Sequence, residues 1–152
     1  DWARQVPIVM TSNFSIGMTI VNKMLKTCQR EIAQYFDCDI LEIHHEQKKD
    51  KPSGSALMLK KTLQGPATDR YGYQKPISVT SLRHRQIAGE HTVILCGDHE
   101  QITITHTADS REIFVRGILE AVEAIPYLKP GLFSMEDLLE QRFLQRHPNE
   151  FH

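Results

Sequence analysis

Apolar residues recur along this chain at two spacings, and the change from one spacing to the other predicts its elements. Val6 to Thr11 is a short apolar run bounded by Ser12 and Asn13, the pattern of a buried strand closed by a turn. From Ser15 the spacing becomes three and four. Ile16, Ile20, Val21, Met24, Leu25, Cys28, Ile32 and Phe36 then form one stripe, with Lys23, Lys26, Gln29 and Arg30 on the wet side, which predicts a single long helix capped by Ser15. Asp39 to His45 alternates, setting Leu41, Ile43 and His45 against Ile40, Glu42 and His44, so His44 and His45 point to opposite faces of a strand. Pro52-Ser53-Gly54-Ser55 opens a helix that runs to about Gln64, and Gly65 to Pro76 is rich in loop formers. Strands follow at Ile77 to Leu82, Thr92 to Cys96 and Gln101 to Thr105, the last two joined through Gly97-Asp98. Ser110 to Tyr127 returns to helical spacing. Lys129-Pro130-Gly131 is a turn, and Ser134-Met135-Glu136-Asp137 caps a last helix carrying Leu138, Leu139 and Phe143, followed by a polar tail.

About four strands, with one helix between Ile43 and Ile77, predict an α/β (α+β) fold. Its sheet is open and mixed, covered by helices on one face. The 152 residues suit a single domain, 1–152, and 40% hydrophobic with 24% charged residues is the balance of a globular protein. A net charge of −1 spreads no general positive field, so neither nucleic acid nor an anionic membrane is an expected partner. No run is long and apolar enough to span a membrane. Cys28, Cys38 and Cys96 lack C-x-x-C spacing and are odd in number, which points to reduced thiols in a cytoplasmic setting, packed as small hydrophobes. A chain that opens on Asp1 rather than Met is expected to be a fragment.

Chemistry concentrates between Glu42 and Ala56. The first turn of the helix opening at Pro52-Ser53-Gly54-Ser55 presents backbone N–H groups to an anion, Gly54 allows close approach, and Lys48 adds a mobile positive charge. Taken alone, His44 and His45 read as a structural or surface pair. Their context favours a dicarboxylate held beside an imidazole whose ordinary pKa, about 6.5, suits proton donation near neutrality. No metal is expected, because adjacent strand residues diverge and no third ligand stands at a convincing spacing. His84, His99, His106, His147 and His152 read as solvated, and His91 as a local support.

The same stretch resembles the signature H-H-x-x-K-x-D-x-P-S-G-T-A of the 4-hydroxy-tetrahydrodipicolinate reductase (dihydrodipicolinate reductase) family. It matches at His44, His45, Lys48, Asp50, Pro52, Ser53, Gly54 and Ala56, with Ser55 in place of Thr. Asn13-Phe14-Ser15-Ile16-Gly17, Gly89-Glu90-His91 and Gly131 to Leu138 resemble further family segments in the same order. The resemblance runs from about Pro7 to Leu139 and covers the back half of such an enzyme. It implies the substrate-binding and tetramerisation part of a lysine-pathway and diaminopimelate-pathway reductase, in which NADPH or NADH delivers hydride to a cyclic imine dicarboxylate. By the same analogy His44 is the general acid and Lys48 its catalytic partner, His45, Gly54 and Ser55 bind a substrate carboxylate, and Ser12, Asn13 and Phe14 touch the cofactor at a domain junction. Residues 1–14 and about 119–139 would pack on an absent nucleotide-binding domain, 140–152 would be a frayed tail, and the open sheet face would build a homotetramer, burying Val79, Val93, Ile102 or their neighbours.

Two departures qualify the resemblance. Arg83-His84-Arg85 stands where the family often has Arg-x-Gly, so the backbone there is expected to run differently. The eight glycines never fall in a G-x-G-x-x-G array, so the chain alone is expected to be inactive, with its cofactor gripped upstream. The competing readings are a non-catalytic binding or assembly module and, with least support, a metal-dependent hydrolase using His44, His45 and Asp50.

Overall fold

The computed structural model describes residues 2–66 and 72–146. In chain order its elements are β1 (Pro7–Val9), α1 (Ile16–Thr27), α2 (Gln29–Tyr35), β2 (Asp37–His44), α3 (Gly54–Gln64), β3 (Ser78–Arg83), β4 (Gly89–Cys96), β5 (Gln101–Ala108), α4 (Glu112–Ala124), β6 (Gly131–Phe133) and α5 (Met135–Arg146). Single 3-10 turns lie at Trp2–Arg4 and Ile125–Tyr127. The chain divides into two compact units, one from its two ends, through 19 and from 112, the other from 20 to 111.

In the end-built unit, β1 pairs in parallel with β6, a strand hidden in the sequence because Gly131 read as part of a turn. Ala121, Met135 and Leu138 form its buried centre, flanked by Val9, Phe14, Ile16, Ala124, Leu128 and Phe133. Gly117 lets α4 lie directly on the Phe14 carbonyl, since a Cβ there would fall 1.7 Å from that oxygen. Ser134 and Asp137 cap α5 reciprocally, the Asp137 N–H donating to Ser134 Oγ at 3.2 Å and the Ser134 N–H to Asp137 Oδ2 at 2.7 Å. That helix continues to Arg146, into the stretch expected to be a frayed tail, and 147–152 lie outside the described residues. Val115, Ile118, Leu119 and Val122 of α4 stay exposed.

The 20–111 unit is a four-stranded sheet in the order β3-β2-β4-β5, with β2 and β3 parallel and the other pairs antiparallel. This is the mixed α/β sheet the pattern predicts, the parallel pair arising because α3 carries the chain across. The register sets Cys38, Ile40, Glu42 and His44 of β2 on one face with Val79 and Arg83 of β3, His91, Val93 and Leu95 of β4, and Ile102 of β5. Ile40, Val93, Leu59 and Leu63 are among its buried apolar side chains, and α3 packs against β2. Val79, Val93 and Ile102 thus lie on the same face as the buried Ile40 and Glu42. The opposite face carries their neighbours, Leu41, Ile43, Thr80, Leu82, Thr92, Ile94, Thr103 and Thr105, with Thr92 and Thr105 hydroxyls 3.0 Å apart.

The expected long helix is two helices. It breaks at Cys28, and Gln29, expected in water, is buried because its Nε2 donates to the Leu63 carbonyl at 3.1 Å and closes the end of α3. A polar side chain with a buried acceptor to satisfy overrides the stripe, and Ile20 and Met24 are left about half exposed. Of the cysteines only Cys38 is buried, its thiol pushed up to about 11 by burial and by Asp37, whereas Cys28 and Cys96 are exposed.

Candidate functional site

The site grows from one anomaly of the β2 stripe, since after Cys38 and Ile40 its next two inward positions are Glu42 and His44. A carboxylate with 0% exposure must be paired or protonated. Glu42 is paired. Arg83, one strand away on the same face, donates NH1 to Oε2 and NH2 to Oε1, both at 2.9 Å. The Ser53 backbone N–H donates to Oε1 at 3.2 Å, and His44 Nδ1 bonds the other oxygen. Burial alone would raise this carboxyl, but the bonds from Arg83, Ser81 and His44 outweigh it and hold it at about 2.

An ionised carboxylate only accepts, so His44 places its proton on Nδ1 and leaves Nε2 as the atom that gains or loses one. Nε2 faces Gly89, where a Cβ would come within 3.0 Å of it. Burial lowers the His44 pKa, Glu42 pulls the other way, and the charges of Lys48 and Arg83 add to the lowering. His91, opposite Glu42 on β4, meets the His44 ring edge-on at 5.0 Å between centroids. Its Nε2 lies 2.9 Å from Ser53 Oγ, the hydroxyl that also accepts the Ala56 N–H and caps α3. Burial and the neighbouring His44 push His91 down to about 4, so it is neutral near pH 7.

The loop after β2 is held to this centre. Arg83 Nε donates to the Lys48 carbonyl at 3.3 Å and NH2 to the Asp50 carbonyl at 2.6 Å, while Lys48 Nζ lies 2.8 Å from Asp50 Oδ2. Lys48 holds the exposed Asp50 carboxyl below its usual range. His45 is the first residue after β2; its Nε2 meets an Arg111 nitrogen at 3.1 Å, and its Nδ1 is buried with no hydrogen-bond partner. Gly54 is exposed at the start of α3 and Ser55 is buried just behind it. Ser12, Asn13 and Phe14 lie in the other unit. There Asn13 Oδ1 accepts the Ser15 N–H at 2.7 Å in the turn that starts α1, and Phe14 joins the buried centre.

Local sequence pattern alone does not mark Glu42 or Arg83 as functional residues. The available signal was the charged residue on an otherwise inward stripe, which demands a cation in register. Arg85 takes φ 41°, a left-handed conformation that glycine accepts without cost, and its N–H and carbonyl pair with Glu46. Glu42, His44 and His91 offer ligand atoms within 4.8 Å of one another. As a metal site the set fits poorly, because an incoming cation would have to displace the guanidinium that already occupies both Glu42 oxygens.

Residues 17–139 match the family model described as dihydrodipicolinate reductase, C-terminus. The chain is 36% identical over 154 residues to the 4-hydroxy-tetrahydrodipicolinate reductase of Anaeromyxobacter dehalogenans (strain 2CP-C), across 92% of this chain and 57% of that protein. It is 40% identical over 138 residues to the same-named protein of Stenotrophomonas maltophilia (strain K279a), across 91% and 54%. The chain thus spans little more than half the length of these relatives. Among solved structures it resembles a dipicolinate-bound dihydrodipicolinate reductase from Paenisporosarcina sp. TG-14, with TM-score 0.63 and 20% identity over 83% of this chain and 52% of that one. By sequence along most of its length, with the shared fold in agreement, the chain belongs to the dihydrodipicolinate reductase C-terminal family.

Proposed function

We propose that this chain is the substrate-binding and oligomerisation part of an NAD(P)H-dependent 4-hydroxy-tetrahydrodipicolinate reductase acting in lysine and diaminopimelate biosynthesis in the cytoplasm. The observation that carries the reading is the juxtaposition, in one unit, of a polarised imidazole, the Lys48 loop and the start of α3. The substrate is a cyclic imine dicarboxylate. The start of α3, with Gly54 and Ser55, and the His45 side chain hold one carboxylate by hydrogen bonds and terminal N–H dipoles. Lys48 complements the negative charge that develops on reduction, and His44 delivers the proton from Nε2. When bound, a nicotinamide supplies the hydride. Among the described residues none forms a glycine-rich cradle for the dinucleotide pyrophosphate, so Ser12, Asn13 and Phe14 touch the cofactor only at its edge, and NADPH or NADH is gripped outside this chain.

The exposed apolar stripe of α4 supports a packing role for the end-built unit against the nucleotide-binding domain. The aliphatic and threonine-rich face of the sheet supports homotetramer assembly. The test is oxidation of NAD(P)H with 4-hydroxy-tetrahydrodipicolinate by the longer enzyme that carries this chain. Activity that falls at least about a hundredfold in His44→Gln, matching loss of general acid catalysis, supports the reading, and unchanged activity contradicts it. The chain alone is expected to be inactive.

A further inference from the structure

Arg83 has five N–H groups in a fixed fork, and each has a carbonyl or carboxylate acceptor. Besides the two bonds to Glu42 and those to the Lys48 and Asp50 carbonyls, NH1 donates to Leu82 O at 2.6 Å. One planar group therefore fixes three things together: the carboxylate that holds His44 Nδ1, the loop that carries Lys48, and its own strand. Its side chain is 7% exposed and that of Glu42 is 0%. A buried ion pair is weak evidence for stability alone, since apolar packing of similar volume does as well. What an apolar pair could not supply is an acceptor for one chosen nitrogen of His44.

We infer that Glu42 and Arg83 are positioning residues that lock His44 in its Nδ1–H tautomer and keep Nε2 and the Lys48 loop aligned for proton delivery to the enamine that hydride transfer leaves. Glu42 selects the nitrogen, and Arg83 fixes the carboxylate orientation while holding the Lys48 loop from beneath. The groups facing His44 are Glu42 on its own strand, Arg83 on β3, His91 on β4 and Lys48 on the loop. Among these only Glu42 bonds its ring. Lysine could supply the charge of Arg83 but not a planar fork with five donors.

The inference rests on the proposed function for its catalytic meaning, but its structural half is read without ligand. In long-range 15N–1H spectra of the wild-type chain above pH 7, His44 is expected to show a protonated Nδ1 and a bare Nε2. The opposite tautomer, or an even mixture, overturns the inference without any variant having to fold. In Arg83→Lys and Glu42→Gln, judged folded by dispersed amide spectra, the tautomers of His44 are expected to mix. Pyridine-2,6-dicarboxylate should bind about tenfold more weakly to Arg83→Lys, the scale of one lost charged hydrogen bond. Unchanged tautomer and affinity in folded variants refute the positioning role. Failure of the wild type to bind the dicarboxylate, with its tautomer as stated, counts against the proposed function alone.

Discussion

His91 makes the fold measurably sensitive to acid. The residue is 5% exposed, and burial with the adjacent His44 lowers its pKa from 6.5 to about 4. Above pH 6.5 the ring is neutral in both native and unfolded chains, so it adds no slope to stability. Between 6.5 and about 4 the unfolded chain binds a proton that the native chain refuses, and stability falls as the pH falls. At about 1.36 kcal/mol per pH unit, that interval is worth roughly 3 kcal/mol, a large share of a typical total of about 5–15 kcal/mol. His44 and His106 are also lowered by burial and act in the same direction, and Glu42 extends the loss from 4.5 down towards 2. The contribution of His91 is therefore read as a difference. His91→Gln cannot take up a proton, yet its amide can keep the hydrogen bond to Ser53. Urea unfolding of both proteins at several pH values between about 8 and 4 should give a wild-type curve steeper than the variant's by about 3 kcal/mol. With a urea slope of about 1–3 kcal/mol per molar, this is a midpoint difference of one to a few molar. Parallel curves would show that His91 is accessible to protons in the native state and refute the reasoning.

Four further outcomes are expected. Gly117→Ala drives a Cβ into the Phe14 carbonyl, so a thermal melt should show at least the 1–3 kcal/mol of overpacking, and an unshifted melt would contradict the close approach. Gly89→Ala crowds His44 Nε2 at 3.0 Å, and in the longer enzyme kcat should fall well beyond any change in the melt, whereas equal small losses would remove Nε2 as the proton-delivering atom. Arg85→Gly relieves about 1 kcal/mol of left-handed strain and loses a similar amount to unfolded-chain freedom, leaving the urea midpoint in place, while Arg85→Val lowers it. If proton delivery by His44 limits turnover, kcat falls as pH rises through an apparent pKa below 6.5, because the required form is the protonated one and burial lowers its pKa.

Local signals made much of this legible and tertiary demands hid the rest. The alternation from Asp39 onward placed β2 and set Glu42 and His44 on its inward face with Ile40, because a two-residue period survives any packing that keeps one face inward. The start of α3 was readable from Pro52-Ser53-Gly54, since the Ser53 cap is a bond between residues three apart. Glu42 with Arg83 was not, because the partners are 41 residues apart and become neighbours only through the parallel pairing of β2 with β3. Gln29 is another such case. Helical periodicity put it in water, while its acceptor, Leu63 O, lies at the end of another helix. The run from Val6 to Thr11 placed β1, but its three-residue partner β6 lies at the far end of the chain and begins at the glycine of the Lys129-Pro130-Gly131 turn.

The most direct test of the substrate-site claim is calorimetric titration of this chain with pyridine-2,6-dicarboxylate, beside a His45→Ala, Lys48→Ala double variant. Saturable one-to-one binding by the parent, lost in a variant with the same fold, is the predicted result. Equal binding by both proteins, or none by the folded parent, would contradict the placement of the dicarboxylate site between His45, the Lys48 loop and the start of α3.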